Sequence, residues 1–131
     1  MPAIGCSLVR MQNSLTLIGT LATDILTSTD EDGTPVARFR IVTHTRRLDR
    51  ATNTWTNSTP TFMTVTCVKR LAENVAVSLH RGDPIIVTGR LRVQENRDKR
   101  LTRVEIEATG VGPDLNRATA TPVRLGSRAA A

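Results

Sequence analysis

Aromatic residues are scarce: Phe39, Trp55 and Phe62 are the three in 131 residues, and tyrosine is absent. Few rings are therefore available to stack on a ligand. Cysteine is scarce too. Cys6 and Cys67 have no metal-site spacing. Cys67 alternates with Met63 and Val65 and reads as a buried free thiol, whereas Cys6 is expected to be exposed. No run of about 18 apolar residues exists, so no membrane-spanning helix is expected. The opening MPAIGCSLVRMQ lacks a basic segment followed by a long apolar one, so no signal peptide is read and a cytoplasmic location is expected. His44 and His80 stand alone, and no nucleophile is paired with a base. Metal, cofactor and enzymatic activity are all outside the expectation.

What the chain has is positive charge. Its net charge is +6 and its pI about 10.9, which favours an anionic partner. Of 18 basic residues only Lys69 and Lys99 are lysine. Arginine offers a planar donor fork and stacks on bases, which lysine does not. The length and 39% hydrophobic content suit one domain with a modest core.

The arginines are patterned. In PVARFRIV, Arg38 and Arg40 alternate with Phe39 and Ile41; in GDPIIVTGRLRV, Arg90 and Arg92 alternate with Leu91 and Val93. Residues two apart in a strand share a face. Each pair thus projects from one side of a strand whose other side is core, and the pairs can converge on one face. Codon bias could also supply such arginines on plain solvated strands. Arg46, Arg47, Arg97, Lys99 and Arg100 lie in loops that would flank the face. A basic groove of this kind tracks a nucleic-acid backbone without reading sequence.

In TFMTVTCV, Met63, Val65 and Cys67 make the more apolar face, which leaves Phe62 on the polar side, available to a base. Phe39 reads as core. Trp55 either packs over a hairpin or stacks on a base. The acidic run in TSTDEDGT reads as a solvated turn.

Strands are expected across NSLTLIGTLATD (with a bulge or bend at Gly19), PVARFRIVTHT, TFMTVTCV, residues 85–93 and LTRVEIEATGV. ILTS adds a short strand, and RRLDRATNTW reads as a hairpin loop. In KRLAENVAVSLHRGDP, Leu71, Val75 and Leu79 recur at helical spacing, with His80 and Arg81 in the last turn and Gly82 as the stop. Three strands, a helix and two strands fit an all-β, five-stranded barrel of the OB type, with one short helix between strands 3 and 4. The expected organisation is an N-terminal extension at 1–12, an OB-fold domain at 13–112 and a short basic tail at 113–131.

GTPVARFRI, LDRATNTW and RLAENVAVSLHRGDPIIVTGRLRV with its following charged loop resemble the bacterial single-stranded DNA-binding protein family over roughly residues 13–112. The resemblance implies an OB-fold homotetramer that coats single-stranded DNA with little sequence preference in replication, repair or recombination. Phe62 stands where that family has a stacking aromatic. Val68, Leu48 and Asn96 stand at or near positions where further aromatics are usual. The family's partner-recruiting acidic tip, closed by Pro-Phe, has no counterpart in RLGSRAAA, so few or no partners are expected through that segment. Two alternatives stay open at this point: an RNA-binding OB domain, and an assembly subunit that mixes with a conventional paralogue.

Overall fold

A computed structural model of the chain describes residues 14–44, 46–57, 59–96 and 101–125. Five strands make a closed ring: β1 (Ser14–Leu21), β3 (Pro35–Thr43), β6 (Thr61–Val68), β7 (Pro84–Asn96) and β8 (Leu101–Pro113). Their order around the ring is β1-β7-β8-β6-β3, and β1 returns to β3 to close it. All pairings are antiparallel except β6 with β8, which run parallel. The short β2 (Leu26–Thr29) pairs with the outer part of β3. The turn between them is made by Asp30, whose Oδ1 accepts the N–H groups of Asp32 and Thr34 at 2.9 Å each. That is the solvated acidic turn read from the sequence.

Closure depends on β1 changing partners. It pairs with β7 from Ser14 to Thr20, then with β3 at Thr20 and Leu21. Gly19 sits at the change, where a side-chain carbon would collide with the Val42 carbonyl. The residue expected to mark a bulge or bend thus marks the change of partner, with the β7 register unbroken through it. Over residues 14–19 the opposite edge of β1 pairs with no strand among the described residues.

The alternate residues fill the barrel. Leu21, Ala37, Phe39, Ile41, Val65, Cys67, Ile85, Val87, Ile106 and Ala108 are buried. The helix α1 (Lys69–Ser78) packs against β2, β3, β6 and β8 and contributes Ala72 and Val75, with Leu79 just beyond it. These positions recur at one face of a 3.6-residue period, while Val77 points to solvent.

Three expectations are corrected. The segment RRLDRATNTW is not a loop: β4 (Arg46–Asp49) and β5 (Thr54–Asn57) form a separate two-stranded hairpin. Its turn is secured by Asp49 Oδ1, which accepts the Ala51 N–H at 2.9 Å, and by Asn53 at φ 57°, a conformation asparagine tolerates. The helix, moreover, stops before His80 and Arg81. Leu79 is already extended, and the His80 N–H donates to Asp83 Oδ2 at 2.8 Å instead of continuing the helical ladder. Gly82 lies in the following turn, its N–H bonded to the Leu21 carbonyl at 2.8 Å. Strand β7 also runs past the expected 85–93, to Asn96.

Beyond β8, Asp114 is 3% exposed. It accepts the Asn116 N–H at 3.0 Å and the Arg117 Nε at 3.3 Å. Arg117 in turn donates to the Gly19 carbonyl and the Thr20 hydroxyl on β1. The chain leaving the barrel is thus tied back to its first strand.

Candidate nucleic-acid interface

The four strand arginines stand on one outer face of the barrel. Residues directly paired across neighbouring strands share a face, so the registers settle which side chains line up. One row runs Arg38, Thr66, Glu107, Arg90 across β3, β6, β8 and β7. The next runs Arg40, Thr64, Glu105, Arg92. Beneath them Phe39, Val65, Ile106 and Leu91 face the interior. Each row therefore has an arginine at either end, with a threonine and a glutamate between.

The glutamates were not read as site residues from the sequence. Glu107 bridges two guanidiniums: Arg90 Nη2 donates to Oε1 at 2.6 Å and Arg92 Nη1 to Oε2 at 2.9 Å. The Arg90 hydrogen bond, more than any other influence, holds the Glu107 carboxyl below the ordinary glutamate range. Partial burial opposes this and Arg92 adds to it. Glu105 is 7% exposed and accepts the Thr66 hydroxyl at 3.4 Å. The available signal was Glu105 and Glu107 alternating with Val104 and Ile106, as the arginines alternate with their own core neighbours.

A bulge decides this pairing. Thr88 opposes Gly110 but Gly89 opposes Ala108, so Thr109 is passed over. The shift brings Glu107, rather than the core residue Ala108, opposite Arg90; a one-residue slip exchanges the two faces of a strand. Gly89 permits it, because the Glu107 carbonyl occupies the place of a side-chain carbon.

Phe62 is 47% exposed at the start of β6, on the arginine face, and the Arg40 guanidinium lies over its ring. Val68 ends the same strand face, 38% exposed. Trp55 and Leu48 are paired across the β4–β5 hairpin and both exposed, Trp55 at 61%. Trp55 thus does not pack into the core. Arg46 and Arg47 belong to β4 by their backbone pairing with Asn57 and Thr56. Arg97, Lys99 and Arg100, like Cys6, lie outside the described residues. Among the described residues no group of His, Cys, Asp or Glu is arranged for a metal, and no helix is long and apolar enough to cross a membrane.

A closed five-stranded ring in this order, with its helix between the third and fourth barrel strands, is an OB fold. Residues 12–113 match the model of the single-strand binding protein family. The single-stranded DNA-binding protein of Corynebacterium glutamicum is 40% identical over 110 residues, covering 82% of this chain and 49% of that one. Single-stranded DNA-binding protein 2 of Streptomyces coelicolor is 37% identical over 109 residues, covering 81% and 55%. The chain thus spans about half the length of these curated relatives. Among solved structures, the small single-stranded DNA-binding protein of S. coelicolor superposes with a TM-score of 0.70 at 35% identity, over 83% of this chain and 99% of that one. The second single-stranded DNA-binding protein of Mycobacterium smegmatis gives 0.67 at 29%, over 86% and 98%. The chain belongs to the single-strand binding protein family.

Proposed function

We propose that this chain binds single-stranded DNA with little sequence preference and without catalysis, laying the strand across the face made by β3, β6, β8 and β7. The observation that carries the reading is the pair of cross-strand rows, which bring Arg38, Arg40, Arg90 and Arg92 together on the face that also carries Phe62. In this reading the arginines take phosphates and Phe62 stacks a base. Trp55, Arg46 and Arg47 extend the contact from the β4–β5 hairpin. Arg97, Lys99 and Arg100 extend it from the β7–β8 connection. Guanidinium planes take over part of the stacking that Val68 and Leu48 cannot supply.

The acting form is a homotetramer in the cytoplasm, associated with the nucleoid in replication, repair or recombination. Support for assembly comes from the outer edge of β1 over residues 14–19, which pairs with no strand among the described residues and offers its backbone groups to a second copy. The binding domain is 13–112, following an extension at 1–12. The segment 113–131 carries Asp114 against Arg117, Arg124 and Arg128, a charge opposite to that of an acidic recruiting tip, and engages few or no partners.

Titration with oligo-dT at several salt concentrations tests the reading. Four to six engaged phosphates give a slope of log K against log salt of about −3 to −4, at roughly −0.7 per phosphate. A nearly flat response, or tighter binding of matched RNA, overturns it.

A further inference from the structure

Glu107 sits where a phosphate belongs. It lies between two arginines of one strand, with one oxygen on each guanidinium. The barrel does not need it there, since Ile106 and Ala108 supply the core on the opposite face of β8. Both guanidiniums are about half exposed, so their ion pairs are solvated and weak enough to exchange. A phosphate reaching the same donors approaches the carboxylate closely, and the like charges repel. Glu105 and the more distant Arg38 and Arg40 are the other charged groups on these two rows.

We infer that Glu107 is an internal competitor for the DNA backbone: it occupies Arg90 and Arg92 in the free protein, and an incoming strand must take them from it. This rests on the DNA-binding reading and adds a control to it. Binding becomes an exchange of one anion for another. The arginines stay oriented on the outer face while the strand is absent, and Glu107 retakes them when it leaves. The carboxylate lowers affinity and hastens release, setting the salt concentration at which the strand comes off.

The experiment is a titration of labelled oligo-dT with the full chain at two salt concentrations, with thermal melts to confirm folding. Glu107→Gln keeps the shape and removes the charge. It should bind about three- to tenfold more tightly, the scale that two part-exposed ion pairs represent. Glu31→Gln removes the same charge from the acidic turn and should change affinity less than about twofold, since exposed charges at a distance are screened. The gain from Glu107→Gln should vanish when Arg90 and Arg92 are both glutamine. Equal or weaker binding by Glu107→Gln overturns the inference, as does a gain that persists without the two arginines. If Glu107→Gln does not fold, Glu107→Asp replaces it: the shorter side chain cannot span both guanidiniums, so tighter binding supports the inference and unchanged binding overturns it. Absence of binding by the wild-type chain overturns the DNA-binding reading and this inference with it. Wild-type binding without the Glu107 effect overturns the inference alone.

Discussion

The Arg40 guanidinium lies 4.9 Å from the centroid of the Phe62 ring. Arg40 opposes Thr64 and Phe62 opposes Val42, so the two meet diagonally across β3 and β6. Such a cation–π contact fixes the ring and covers one of its faces. The other face remains for a base. Phe62→Ala should weaken oligo-dT binding by about 1–3 kcal/mol for the base it stacks, without altering the salt slope. Because the ring is outside the core, the melting temperature should stay near wild type. Loss of folding would place Phe62 in the core instead.

Acid should remove the contribution of Glu107 to stability. Its carboxyl is held below the ordinary value of 4.5, so the ionised form favours the folded state. That contribution is complete above the ordinary glutamate value and is lost as pH falls through it toward the lower folded value. Glu107→Gln should therefore be somewhat less stable than wild type at pH 7, with a gap that closes as pH falls below about 4.5. Urea melts from neutral to acid pH check this. The same carboxylate would then stabilise the fold while weakening DNA binding.

Cys67 should be chemically silent. It is fully buried, and burial pushes its thiol up to about 11 from the usual 9.0. The reactive thiolate is therefore rare at pH 8 and sealed from reagent. In a Cys6→Ser background, iodoacetamide should label Cys67 only at the rate at which the barrel opens, faster in denaturant. Prompt labelling in native buffer contradicts the burial.

Asp114 should matter more than the residues that follow its turn. Asp114→Ala removes a buried carboxylate that accepts from the Asn116 N–H and from Arg117, which keeps its Gly19 and Thr20 acceptors; losing hydrogen bonds to a charged group costs about 1–3 kcal/mol. Truncation after Ala118 keeps both residues and should leave stability unchanged. Thermal or urea melts of the two variants separate these outcomes.

Much of this site was legible along single strands. Alternation put Phe62 opposite to Met63, Val65 and Cys67, and it put the arginine pairs opposite to Phe39, Ile41 and Leu91, because a strand has a period of two. The helix was legible for the same reason, from its own period. What was not legible depends on pairing between strands. Glu105 and Glu107 become partners of the arginines through a parallel β6–β8 register and a bulge at Thr109, and neither leaves a local pattern. The early end of the helix depends on Asp83, three residues past His80, taking an N–H that helical periodicity assigns elsewhere.

The parallel β6–β8 pairing has a consequence for biosynthesis. β8 is the last strand of the ring to leave the ribosome, and it alone joins β6 to β7. Until it emerges, a nascent chain holding β1 to β7 presents two open edges facing each other, with Val65, Cys67, Ile85 and Val87 exposed between them. Unpaired edges over apolar surface are what chaperones capture and what neighbouring nascent chains stick to. A premature stop before Leu101 would remove β8 and leave β6 and β7 without the strand that joins them.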